Sequence, residues 1–130
     1  MNGGTDMPES PPISDAEWDI MRIVWQSSPL TAADIIARLS GTKAWKPKTI
    51  KTLIGRLVQK GALDFHKEGR EYTYFPLVNE EECVREASRS FLDRIYGGAL
   101  KPMMVHFLES EKLTPEDIKE LKDLLREKEK

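Results

Sequence analysis

The sequence predicts a mainly α protein with a small β-hairpin: three helices and a ribbon first, then a C-terminal helical arm. Three observations predict it. Apolar residues recur at helical spacing through most of the chain. One local arrangement, an apolar residue, then Ser, Thr or Asn, then an acid three positions on and an apolar residue after it, recurs at four places. It reads as an N-cap, an acid at N3 and a hydrophobic staple. Between the third and fourth helical stretches, LDFHKEGREYTYFP alternates around a glycine.

Residues 1–12 contain Gly3, Gly4, Pro8, Pro11 and Pro12 with little to bury, so a disordered tail is expected. The four helix starts are Ile13-Ser14…Glu17-Trp18, Leu30-Thr31…Asp34-Ile35, Val78-Asn79…Glu82-Cys83 and Leu113-Thr114…Asp117-Ile118. The first helix is expected over about Asp15 to Gln26, burying Trp18, Ile20, Met21, Val24 and Trp25, with Ser27, Ser28 and Pro29 stopping it. A short second helix runs over about Ala32 to Leu39 and ends near Gly41. The third begins at Pro47, whose fixed φ and missing N–H cost nothing at N1, and stops at Gly61. Its apolar face is Ile50, Leu53, Ile54, Leu57 and Val58; the opposite face carries Lys48, Lys51, Thr52, Gly55, Arg56 and Gln59.

Leu63, Phe65, Tyr72 and Tyr74 fall on one face of the hairpin, whose tight turn is either Glu68-Gly69 or Gly69-Arg70. The order helix, helix, helix, ribbon is that of a winged helix-turn-helix domain over residues 13–78. Residues 79–130 are expected to be helical. Val84, Ala87, Phe91 and Ile95 form one stripe, ending at Gly97-Gly98. Leu100, Met103, Met104, Phe107 and Leu108 form a second, with Pro102 tolerable only in a first turn, and Ile118, Leu121, Leu124 and Leu125 a third after Pro115. Stripes outside a complete small domain need a partner surface, and the simplest partner is a second copy, giving a homodimer. Phe91, Ile95, Leu100, Met104, Phe107, Leu108, Ile118, Leu121 and Leu125 are the dimerisation candidates.

Charge is distributed unevenly. The net value is −2, but residues 43–78 hold six Lys and two Arg against three acids, a local +5 flanked by acidic segments. That local field governs attraction to phosphates. The single Cys83 excludes an internal disulfide and a multi-thiolate metal site on one chain. Neither a secretory signal nor a membrane-spanning run is read, and a cytoplasmic protein is expected. His66 and His106 lack ligand-spaced neighbours, Cys83 reads as a buried structural thiol, and Trp45 as padding beside the third helix. No nucleophile elbow, phosphate loop or zinc-protease motif is present, so an enzyme is rejected and no cofactor or metal is expected.

A helix that is oily on one side and offers cations, hydroxyls and an amide on the other suits a DNA major groove. Lys48, Lys51, Thr52 and Arg56 are placed for base edges; Lys46 and Thr49 for phosphates; Lys67 and Arg70, on the wing, for phosphates or the minor groove. Gly55 would allow close approach. Winged helices also serve as protein-interaction adaptors without selective DNA binding, and the concentrated positive charge argues against that alternative.

The strings ISDAEWDIMRIVW, TIKTLIGRLVQKGAL and KEGREYTYFPLV resemble the penicillinase repressor (BlaI/MecI) family of winged-helix transcriptional repressors, over about Ile13 to Lys130. The resemblance implies a repressor that binds an inverted-repeat, pseudo-palindromic operator as a homodimer through its C-terminal helices. It also supports Lys48, Thr49, Lys51, Thr52 and Arg56 as DNA-facing residues. In the family's best-known members a membrane-bound sensor protease cuts an Asn-Phe bond to inactivate the repressor. The matching position is His106-Phe107, so His106 departs from the pattern, and Phe107 also belongs to an apolar stripe. A copper-responsive branch carries Cys-x-Cys motifs near its C-terminus; this chain ends LKDLLREKEK without them, so metal sensing of that type is not expected.

Overall fold

A computed structural model describes residues 11–130; the expected tail lies mostly outside the described residues. Helices α1 (Asp15–Ser27), α2 (Ala32–Leu39) and α3 (Pro47–Lys60) come first, with the short strand β1 (Leu30–Thr31) between α1 and α2. Strands β2 (Leu63–Glu68) and β3 (Glu71–Pro76) follow, then α4 (Glu80–Tyr96), α5 (Leu100–Ser110) and α6 (Pro115–Glu129). The sheet is antiparallel in the order β1-β3-β2.

The helix starts form as their side chains dictate. Ser14 Oγ accepts from the Glu17 N–H while Glu17 Oε1 accepts from the Ser14 N–H, and Thr31 with Asp34 and Thr114 with Asp117 repeat this reciprocal pair. Asn79 Oδ1 accepts from the Glu82 N–H at 3.0 Å. Backbone and side-chain bonds from Thr31 hold the Asp34 carboxyl below the ordinary aspartate pKa. α3 ends where Gly61 turns left-handed at φ 83°. Pro102 falls in the first turn of α5, where its missing N–H breaks no helical bond.

The chain divides into two compact units after Ala87, inside α4. In the first, one core gathers Ile20, Met21 and Val24 of α1, Leu30, Ile35 and Leu39, Ile50, Leu53, Ile54 and Leu57 of α3, and Ala62 and Leu63. Trp45 packs against this core as padding, and Cys83 is buried.

Three expectations need correction. Trp18 and Trp25 are only half-buried: their rings lie 5.7 Å apart, and the Trp25 indole N–H donates to the Val78 carbonyl at 3.0 Å. The fourth buried position of α1 is instead Glu17. Its carboxylate accepts from the Lys60 ammonium, which also donates to the Pro12 carbonyl. The third is β1, which sequence reading missed: Leu30 and Thr31, read only as the staple and cap of α2, also pair with Tyr74 and Thr73.

The second unit, Ser88–Lys130, buries little. No side chain of α5 or α6 is buried, and in this part of α4 Leu92, outside the expected stripe, is the buried residue. Phe91 and Phe107 stack with ring centroids 6.2 Å apart, and the Tyr96 hydroxyl hydrogen-bonds His106 Nδ1 at 2.8 Å.

Candidate nucleic-acid interface

α3 divides its residues as its sequence periodicity requires. Ile50, Leu53, Ile54 and Leu57 are buried, whereas Lys48, Thr49, Lys51, Thr52, Gly55, Arg56 and Gln59 are exposed. Lys46 is the exposed N-cap residue. The core therefore fixes the helix by one side and leaves the other open. The Thr52 hydroxyl donates to the Lys48 carbonyl at 3.0 Å, keeping its oxygen free to accept.

The start of α3 differs from those of α1, α2 and α6. Lys46 offers no side-chain acceptor and the first turn holds no acid. The Thr49 and Ile50 N–H groups bond back to the Lys46 carbonyl, Pro47 has no N–H, and Lys48 presents its own at an exposed position. With Lys46, Lys48 and Lys51 around it, this end combines the positive end of the helix dipole with three cations.

The hairpin settles the open register. Glu68 pairs with Glu71, so the tight turn is Gly69-Arg70, with Gly69 at φ 63°. Leu63, Phe65 and Lys67 share one face with Tyr72, Tyr74 and Pro76. Lys67 and Arg70 are exposed at the far end of the ribbon, and the Lys67 ammonium lies 5.9 Å from the Tyr72 ring centroid. Beside it Phe65 meets Tyr72 edge-on at 4.8 Å, and both remain about 40% exposed. The sequence pattern does not mark this aromatic patch as part of a site: the period-2 alternation gives its face but not how far the core reaches beneath it.

Pairing separates these cations from many others. Arg22, Lys43, Lys60, Arg85, Arg89, Arg126 and Lys130 each sit within ion-pair distance of a carboxylate. Among the described residues, Lys46, Lys48, Lys51, Arg56, Lys67 and Arg70 have no carboxylate partner. Their charge is thus available to an external anion. Among the described residues no group of three or more His, Cys, Asp or Glu is arranged to hold a metal ion, and no helix is long and apolar enough to cross a membrane.

Gly55 stands in the middle of this face. A Cβ added there meets nothing within 4 Å among the described residues, so no packing contact among them requires the glycine, although inside a helix it costs roughly 0.5–1 kcal/mol relative to alanine.

The Phe91, Ile95, Leu100, Phe107, Leu108, Ile118 and Leu125 side chains are exposed, and Met104 and Leu121 are half-buried. The His106–Phe107 bond lies within α5.

Known proteins resemble this chain in sequence and in fold. The family profile described as Penicillinase repressor matches residues 13–127. The penicillinase repressor of Bacillus licheniformis is 44% identical over 121 residues, covering 93% of this chain and 94% of that protein. The methicillin resistance regulatory protein MecI of Staphylococcus aureus (strain N315) is 37% identical over 116 residues, 89% of this chain and 94% of that one. The solution structure of the DNA binding domain of the repressor BlaI matches with a TM-score of 0.53 at 45% identity, covering 58% of this chain and 93% of its own. The Bacillus licheniformis BlaI monomeric form in complex with the blaP half-operator matches with a TM-score of 0.52, at the same identity and coverage. With this identity and a profile match through both compact units, the chain belongs to the penicillinase repressor family.

Proposed function

We propose that the protein is a cytoplasmic, sequence-specific transcriptional repressor that binds a pseudo-palindromic DNA operator as a homodimer. The observation that carries this reading is the row of cations on the open face of α3 that have no carboxylate partner among the described residues, on a helix whose other face is core. α3 enters the major groove with Lys48, Lys51, Thr52 and Arg56 at base edges. Lys46, Thr49 and the uncapped first turn hold phosphates that fix register, and Lys67 and Arg70 of the wing hold the flanking backbone.

Dimerisation supplies the second half-site. Residues 79–130 act as the dimerisation region, in which the exposed apolar side chains of α4, α5 and α6 are covered by a second copy. One half-site contact lacks the affinity of two tethered ones, so losing the dimer releases the operator. Removal of the C-terminal helices by a membrane sensor protease is one route to that loss. A cut between His106 and Phe107 must first unwind α5, and a helix without buried side chains opens at low cost.

Selection of bound duplexes from a random pool tests the reading. The expected result is a two-fold symmetric consensus whose binding weakens steeply with salt, by a log–log slope of about −0.9 for each phosphate neutralised. Enrichment of no sequence, with a protein captured through α3 instead, overturns it in favour of an adaptor.

A further inference from the structure

Among the described residues Gly55 alone is a glycine inside a helix. Nothing among the described residues asks for it. Its backbone is outside the left-handed region occupied by Gly61, Gly69, Gly97 and Gly98. A Cβ built at position 55 points into open space. Glycine is the poorest helix former apart from proline, so α3 accepts a weakened centre for no gain in its own packing.

The position is central to the exposed face. Lys51 and Thr52 lie one turn before it, Gln59 one turn after it, and Arg56 beside it. Gly55 therefore makes a notch between long polar side chains. An α-helix with side chains is about 10–12 Å across and the major groove about 12 Å wide, so one side chain at the centre decides how deep the axis can settle.

We propose that Gly55 is a specificity-determining position, at which the bare backbone of α3 makes its closest approach to the base-pair edges of the bound duplex. The inference rests on the DNA-binding reading above. With the notch open, Lys51, Thr52 and Arg56 reach base edges at hydrogen-bond distance. A methyl group at position 55 holds the helix away, and the direct bonds, which weaken steeply with distance and angle, are lost first. Phosphate contacts through long flexible lysines tolerate the same displacement.

The test compares full-length wild type with Gly55→Ala and Gly55→Leu on two duplexes at one salt concentration: the duplex selected by the wild type, and a scrambled duplex of the same length. Thermal unfolding of each protein shows that it is folded. Gly55→Ala is expected to unfold at a higher temperature, to bind the selected duplex at least about 10-fold more weakly, and to bind the scrambled one within about twofold of wild type. Gly55→Leu is expected to lose more on the selected duplex. Folded variants that bind the selected duplex as tightly as wild type overturn the inference while leaving DNA recognition intact. A wild type that does not prefer its selected duplex overturns the DNA-binding reading itself, and the role of Gly55 with it.

Discussion

Lys60, in the last turn of α3, donates to the buried carboxylate of Glu17, in the first turn of α1, across 43 residues of sequence. The contact clamps the far end of α3 to α1. Lys60→Met leaves Glu17 buried without its counter-charge and is expected to cost about 1–3 kcal/mol. Adding Glu17→Gln to that variant should return part of the loss. Urea unfolding of the two single variants and the double variant closes the cycle; strictly additive losses show that the two side chains are not coupled.

The same pair gives a pH signature. Burial pushes the Glu17 carboxyl up, but the Lys60 hydrogen bond and charge, with the Ser14 bonds, outweigh it and hold the pKa below the ordinary glutamate value of 4.5. A depressed folded pKa means that the stabilisation is complete above the unfolded value and disappears as pH falls through the folded one. Between about pH 6 and pH 3, wild type should therefore lose more stability than Glu17→Gln. Parallel pH profiles for the two proteins contradict this.

Arg56 is exposed and has no carboxylate partner among the described residues, so Arg56→Ala should leave the fold within about 0.5 kcal/mol of wild type. At the selected operator it should cost about 1–3 kcal/mol and relax preference at one base pair. An equal loss on random DNA reassigns Arg56 to a phosphate.

Leu125 is 54% exposed in the single chain. Leu125→Asp should leave the secondary structure unchanged by circular dichroism, shift the mass measured by sedimentation towards the monomer, and weaken operator binding. A sedimenting mass equal to wild type at all concentrations removes Leu125 from the interface.

Local signals in the sequence located most elements. Ser14, Thr31 and Thr114 capped the helices they precede, and α2 and α3 begin and end where their caps and glycines place them. The exposed side of α3 was legible because four buried apolar residues at helical spacing leave the other side open. What escaped depends on tertiary partners. β1 is two residues long, too short for any alternating pattern, and exists because β3 lies beside it. Glu17 carried every sign of a surface capping acid; its burial follows from Lys60, far along the chain. Trp25 is large enough to pack against the core while keeping a rim in solvent, and Trp18 meets its ring rather than the core cluster. The turn register required the Glu68–Glu71 pairing, since two neighbouring dipeptides both contain Gly69.

The bare opening turn of α3 has a thermodynamic corollary. Ser and Thr side chains, each with an acid at N3, close the starts of three of the other helices, whereas Lys46 gives α3 no side-chain acceptor. On the proposed reading, an operator phosphate seated there would complete the helix as well as anchor it, so occupancy and helix integrity would rise together. The free repressor should accordingly fray first at the start of α3, and amide protection at Lys48 and Thr49 should grow when duplex is added.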